Sequence, residues 1–396
     1  MRSFRIPLVR NTIGADDLAA LAEWLRTGPR LTKGPLCDEF EERFAAWQGC
    51  PSAAYVNSGS SANLLAIDAL RISGLLRPGD RVIAPAVSWT TTVAPIAQLS
   101  LEPVLCDSDA ANLGLDLDHL EHLCKTAGAK ALVVCHVLGI PNDMDRILAL
   151  CDDHGLTLVE DCCEALGSTY RGTKVGGFGA ISTFSFYFGH HMSTIEGGMV
   201  CMRDRDTTNV IRSLRSHGWN RDLDDEVKLD LRRRHDVDLF SDQYTFYHPG
   251  YNFRGTDVGA FLGLRQLEKL DGFVSARVRT WQRYDALMSE AAWRPSAPPG
   301  AVVSGFAWPI LTSDRQALAG RLGEAGVETR PLVCGSIGRQ PWYVQRYGAV
   351  PLTNADVVHE HGLYVPINPD LDEGELLQIT RLCLGDGVGN VRDTVG

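Results

Sequence analysis

Several short stretches of the chain place chemically capable residues directly after apolar runs. Residues 57–63 read NSGSSAN, so Gly59, Ser60 and Ser61 would present backbone N–H groups and hydroxyls at a helix start. That arrangement is a phosphate cradle or an ordinary N-cap with a tight turn, and the residues alone allow both. It is not a Walker loop, since no Gly-Lys-Ser/Thr follows, nor is it GxGxxG. Trp89 follows RVIAP within AVSWTTT, where its ring is either core or a platform for a flat ligand. Asp161 ends TLVED, and a buried carboxylate there requires a cationic or hydrogen-bonding partner. Glu164 comes three residues later. His190 and His191 close STFSFYFGHH and lead into a polar turn ending Glu196, Gly197, Gly198. Neighbours on an extended chain point to opposite sides, so one of the two imidazoles faces the site unless a turn begins there.

Taken together, an anion cradle, a stacking aromatic, a buried carboxylate and a polar residue close behind it describe a pyridoxal phosphate site. The phosphate is anchored, the ring is stacked, and the carboxylate keeps the pyridine nitrogen protonated so that the ring can accept electrons. The member missing from the set is the Schiff-base lysine. The six lysines are Lys33, Lys125, Lys130, Lys174, Lys228 and Lys269, and none lies at a strand end after Asp161.

The elements that must position these groups are legible in the same pattern. Short β-rich runs at 53–56, 81–85, 103–106, 131–137, 157–162, 181–187 and 199–203 alternate with amphipathic helices at 61–70, 117–128 and 144–155. Strands that are apolar throughout and separated by helices predict an α/β fold, a mostly parallel sheet covered on both faces. Ligands bind such sheets beyond the carboxyl ends of the strands, where the candidate residues fall. Beyond residue 203 the texture changes. Residues 222–238 mix both charges densely and read as a solvated loop or surface helix. A long helix runs from Asp257 to about residue 291, a Pro-rich break follows at 294–300, and a smaller α/β tail carries a helix near 372–382. We therefore expect a large cofactor-binding domain with its N-terminal segment over 1–256, then the long helix and a smaller C-terminal domain over 257–396.

Bulk properties bound the function. The 396 residues are 44% hydrophobic and 22% charged, an ordinary globular composition, with a net charge of −11. That charge gives no support to nucleic-acid or anionic-membrane binding, although a local basic pocket for a small anion remains compatible with it. No apolar run is long enough to span a bilayer, and the N-terminus lacks a signal-peptide core, so a cytoplasmic protein is expected. The 11 cysteines show no CxxC spacing, and most lie in apolar runs where a reduced thiol acts as a small hydrophobe. No metal site is expected.

The stretches LTKGPLCDEFEERFA (31–45), VNSGSSANLLA (56–66), VEDCCEALGS (159–168), FSFYFGHHMSTIEGG (184–198) and GYNFRGTDVGAFLGLRQLEKL (250–270) carry a resemblance over nearly the whole chain. It resembles the DegT/StrS-type sugar aminotransferases of the fold-type I pyridoxal phosphate class. In most of that family the FSF strand ends in the cofactor lysine, at the position of His190. A His-His there is similar to the subgroup of nucleotide-linked 4-keto-6-deoxyhexose 3-dehydratases. The resemblance implies that His190 is catalytic and that His191 supports the turn. It implies that Gly59, Ser60 and Ser185 hold the cofactor phosphate and that Trp89 stacks on the ring. Asp161 would pair with the ring nitrogen, and Glu164 would lie near the ring hydroxyl. Asn252 would reach the cofactor phosphate of a neighbouring subunit, implying a homodimer with shared active sites. Arg330 would bind an anionic group of the substrate or amino donor.

The implied reaction uses pyridoxal 5′-phosphate in its pyridoxamine 5′-phosphate form to remove the hydroxyl at C3 of a nucleotide-linked 4-keto-6-deoxyhexose. One subtype of that subgroup carries an iron–sulfur cluster on cysteines before the GYN motif. Residues 219–248 contain no cysteine, so no cluster is expected, and L-glutamate is the expected donor that restores the amine. The subgroup shows Pro-Ala before the histidine pair where this chain has Phe188 and Gly189. The competing readings are an aminotransferase that recruits a lysine from elsewhere and a non-catalytic cofactor-binding subunit.

Overall fold

A computed structural model describes residues 4–385; residues 1–3 and 386–396, at the outer ends of the two expected domains, lie outside the described residues. Its centre is a seven-stranded sheet: β1 (Ser52–Val56), β2 (Arg81–Pro85), β3 (Glu102–Cys106), β4 (Ala131–Cys135), β5 (Thr157–Asp161), β6 (Ile181–Ser185) and β7 (Gly198–Met202), in the spatial order β1-β7-β6-β5-β4-β2-β3. Six strands run in one direction, and β7 alone runs against them, paired antiparallel to both β1 and β6. The expected α/β, mostly parallel sheet is present, as are all seven expected strands. Several ends differ by one residue, and two differ by more. The strand before the histidines stops at Ser185 rather than 187, and β4 stops at Cys135 rather than 137.

Burial explains the continuous apolar character of the strands. All five residues of β4, β6 and β7 are buried, because helices cover both faces. Helix α1 (Gly59–Ile72) follows β1 and buries nine of its residues, and α2 (Thr90–Gln98) follows β2. The sequence reading did not assign α2, whose short TTTVAPIAQ carries β-branched residues and an internal proline. Two N-terminal helices, Ala15–Arg26 and Pro35–Gln48, were likewise not read from the sequence. The second is capped from far away: Asp257 accepts from Gly34 N (2.8 Å) and Cys37 N (3.1 Å). The charged stretch forms the surface helix Asp225–Arg234, with no buried residue.

The long helix α3 (Asp257–Leu287) ends four residues before the expected 291. It leads to a three-stranded sheet of Ala307–Leu311, Gly362–Pro366 and Arg330–Pro331, with Gly362–Pro366 in the middle. The N-terminal segment joins this sheet's helical cover: Ile6 N donates to Gly326 O and Glu328 N donates to Ile6 O, both at 2.9 Å. No helix among the described residues is long and apolar enough to cross a membrane. All 11 cysteines are free thiols, eight of them buried.

Candidate active site

The carboxyl ends of β1, β4, β5 and β6 converge on a cleft of about 370 Å³. The antiparallel strand β7 makes this convergence possible. Gly198 stands in register with Val56 on one side and Ser185 on the other, so the ends of β1 and β6 meet across it. A Cβ on Gly198 would lie 2.6 Å from the Ser58 carbonyl carbon and 2.7 Å from Gly59 N. Only a glycine lets the strand pass that close to the loop that follows β1.

That loop forms the first wall. Ser58 caps α1, its Oγ accepting from Ser61 N at 3.0 Å. The unpaired amide groups of the first turn then open toward the cleft at the positive end of the helix, so the N-cap and the anion cradle are one structure here. Ser60 Oγ donates to Thr91 Oγ1 (3.1 Å), and Ser185 Oγ accepts from Tyr187 N (3.3 Å). Gly59 packs directly beneath: an added Cβ would sit 2.7 Å from Ser185 Cβ and 2.9 Å from Cys163 Sγ. Gly59→Ala is therefore expected to cost about 1–3 kcal/mol of stability through overpacking. It should also loosen pyridoxal phosphate, since the cradle must move. Thermal melting and cofactor titration of the variant check both effects.

Trp89 is the N-cap residue of α2, and its ring is 53% exposed on the cleft wall rather than in the core. Asp161, at the end of β5, is buried and held by three donors. Its Oδ2 accepts from Asn63 Nδ2 (2.8 Å) and Thr92 Oγ1 (2.7 Å), and its Oδ1 accepts from Cys163 N (3.1 Å). Asn63 is itself oriented by Thr183 Oγ1, which donates to its Oδ1 at 2.5 Å. Glu164 Oε2 accepts from Leu138 N (2.8 Å). Desolvation pushes the Glu164 carboxyl up to about 7, against that hydrogen bond and with the Asp161 charge adding to the rise. At neutral pH this group is therefore able to donate as well as accept.

The two histidines part company in a turn rather than on an extended strand. His190 N donates to Tyr187 O (2.9 Å), which reverses the chain after Tyr187. His190 lines the cleft, and its Nδ1 lies 2.6 Å from Cys163 O. A carbonyl only accepts, so Nδ1 carries the proton and Nε2 is left with a free lone pair. Burial pushes His190 down to about 4, the Cys163 carbonyl opposes this, the Arg277 charge adds to the fall and Asp161 opposes it. His191 is buried on the other side, donating from Nε2 to Ser304 O at 2.9 Å.

Of the residues singled out in the sequence, Gly59, Ser60, Trp89, Asp161, Glu164, Ser185, His190 and Arg330 all line this one cleft. Asn252 does not: it is exposed, in the segment bridged to Ser216. The sequence reading missed Asn63 and Thr92, which hold Asp161, and Leu8 and Val9, which line the mouth. Asn63 carried a usable signal, being a polar residue directly ahead of the apolar run Leu64–Ile67 of its helix. Leu8 and Val9 carried none.

No lysine lines the cleft. Each of the six is engaged elsewhere: Lys33 with Asp38, Lys125 with Glu121, Lys130 with Asp80, Lys174 with Trp47 O, Lys228 with Asp225 and Lys269 with Asp17. A second polar cluster, His136, Glu160 and Cys162, is buried beneath β5. There Glu160 is already satisfied by His136 Nε2 and by the backbone N–H groups of Gly176 and Phe178, which identifies the cluster as a structural network.

The fold and the cleft define an enzyme architecture of the fold-type I pyridoxal phosphate class. Residues 11–382 match the DegT/DnrJ/EryC1/StrS aminotransferase family, and the chain belongs to it. It is 38% identical over 379 residues to the dTDP-4-dehydro-2,6-dideoxy-D-glucose 3-dehydratase of Saccharopolyspora spinosa, covering 90% of this chain and 81% of that one. It is 31% identical over 382 residues to the GDP-4-keto-6-deoxy-D-mannose 3-dehydratase of Yersinia pseudotuberculosis, covering 94% and 96% of the two chains. A solved structure of GDP-4-keto-6-deoxymannose 3-dehydratase with a trapped PLP-glutamate geminal diamine is similar with a TM-score of 0.86. It is 28% identical, and the match covers 96% of this chain and 100% of that one.

Proposed function

We propose that this chain is a 3-dehydratase that removes the C3 hydroxyl of a nucleotide-linked 4-keto-6-deoxyhexose in deoxysugar biosynthesis, using pyridoxal 5′-phosphate in its pyridoxamine form. The observation that carries the proposal is His190: a neutral imidazole with a free Nε2 lone pair in a cleft that no lysine lines. The donor set of the cleft fits the cofactor. Gly59, Ser60 and Ser185 would hold the phosphate at the α1 N-terminus, the exposed Trp89 ring would cover one face, and the Asp161 carboxylate would pair with a protonated ring nitrogen. Bound there, the cofactor supplies an amine for the 4-keto carbon and a protonated ring that takes up electrons.

The protein's part is positioning and proton movement. Nδ1 of His190, tied to Cys163 O, fixes the ring, and Nε2 takes up a proton from the reacting complex. An imidazolium that is so weakly held at its proton is a good acid, so the same Nε2 returns the proton to the departing hydroxyl. Glu164, titrating near 7, is suited to hold an oxygen that gains or loses charge. Arg330, on the small sheet at the cleft edge, would bind an anionic group of the substrate or of L-glutamate, the amine donor. The cysteine-free segment 219–248 supports glutamate rather than an iron–sulfur cluster. The exposed Asn252, outside this chain's own cleft, supports a homodimer in which it reaches the neighbour's phosphate site.

Incubation with pyridoxamine phosphate, L-glutamate and a panel of nucleotide-linked 4-keto-6-deoxyhexoses, followed by mass spectrometry, tests the proposal. The expected product is lighter than the substrate by one oxygen atom and has gained no nitrogen; a stable amino sugar overturns the reading. Protonation of His190 removes the base, so activity falls on the acid side as pH drops through its folded value. The acid side of the kcat/KM profile is therefore expected near pH 4 rather than near the ordinary imidazole value of about 6.5.

A further inference from the structure

Behind the histidine pair lies a charge that the reaction so far does not use. Arg277, on α3, is 3% exposed, and among the described residues no carboxylate pairs with it. Its acceptors are four main-chain carbonyls. Nη1 donates to Gly305 O (3.0 Å), Phe306 O (3.3 Å) and Ile367 O (2.7 Å), and Nη2 donates to His190 O (3.4 Å). One side chain thus joins one end of the small sheet, where the chain enters Ala307–Leu311 and leaves Gly362–Pro366, to the turn that carries His190. The same wall receives both rings: His191 Nε2 donates to Ser304 O, and the His190 and Phe306 rings stand 5.1 Å apart.

A buried cation without a counter-ion is expensive, and a neutral amide could bridge carbonyls at less cost. We propose that Arg277 is a positioning residue for His190, pinning its backbone to the small sheet and holding its imidazole neutral with a fixed positive charge. This rests on the reading of His190 as the base. The charged groups that line the cleft with His190 are Asp161 and Glu164 from the β5 side, Glu196 from its own loop and Arg330 from the small sheet, while Arg277 reaches its backbone from α3. Among them Arg277 is the one hydrogen-bonded to the residue itself. The same guanidinium also contributes to the fall of His190 and of His191, behind desolvation in each case.

Two variants separate charge from geometry. Arg277→Met keeps much of the bulk and removes the charge; Arg277→Lys keeps the charge and loses the fork. The His190 ring is titrated by NMR, assigned against His190→Asn, and kcat and KM are followed against pH. In Arg277→Met the His190 titration and the acid limb of kcat/KM should both rise, by roughly one pH unit. In Arg277→Lys the titration should stay near that of the unaltered protein. There kcat should fall about tenfold with KM little changed, as expected for a misplaced base. An unmoved titration in Arg277→Met, or in Arg277→Gln should the methionine variant not fold, overturns the electrostatic role. Unchanged kcat in Arg277→Lys overturns the positioning role. Absence of deoxygenation by the unaltered protein would sink the dehydratase reading instead, while the titrations still decide what Arg277 does to the ring.

Discussion

His190→Asn is expected to lower the deoxygenation rate by about a thousandfold, within the range that a positioned acid–base group contributes. The asparagine side-chain amide can still donate to Cys163 O, so the turn and the cleft should survive. What disappears is Nε2, the one atom on this ring that can take up and return a proton. Cofactor affinity, read by absorbance titration, should change little, because Gly59 and Ser60 lie on α1, Asp161 on β5, and Ser185 is held within β6, ahead of the turn that carries His190. A variant that keeps its rate within tenfold would show that the proton moves through another group, with Glu164 the first to examine. Borohydride treatment of the unaltered protein with pyridoxal phosphate is the companion measurement. With all six lysines paired away from the cleft, no labelled lysine peptide is expected.

Asp161→Asn should have the second large effect, for a different reason. Asp161 accepts from Asn63 and Thr92 through one oxygen and from the Cys163 amide through the other. Whichever way an asparagine amide is turned, its NH2 meets at least one donor that now has no acceptor. Leaving such a buried group unsatisfied costs about 1–3 kcal/mol, which thermal melting would register. The neutral amide also no longer stabilises a protonated ring nitrogen. Removing a preorganised charge of this kind costs about a hundred- to a thousandfold in rate. Turnover and the absorbance of bound cofactor should fall and shift together. If the rate is unaffected while the melt is lowered, the role of Asp161 is confined to the buried network.

The two variants also show how far the site could be read before the fold was seen. His190, Asp161, Trp89, Gly59 and Ser60 stand at strand ends, and in a parallel sheet covered by helices those ends share one edge. Local pattern was enough to place them together. Asn63 and Thr92 escaped because their task is defined by a partner some 70 to 100 residues away in sequence, Asp161, which no local period encodes. Leu8, Val9 and Arg277 escaped for a similar reason. An apolar N-terminal pair and a helical arginine look like surface or core until the small sheet brings them to the cleft mouth and the histidine turn. Helix α2 was missed because β-branched residues and a proline argue locally against a helix that packing on β2 and β3 nevertheless stabilises.

By itself the sequence determined the alternation of buried strands and helices, and therefore the sheet, its ligand-binding edge and the residue types waiting there, including an imidazole and no lysine. These follow from periodicity and from what the chain does not contain. Tertiary structure decided which histidine enters the cleft, which of its nitrogens is free, and what holds Asp161. Those outcomes depend on a glycine at 198 letting β1 and β6 meet, and on carbonyls of distant segments fixing a ring and a guanidinium. Hydrogen bonds of that kind are set by three-dimensional position, to which spacing along the chain is blind.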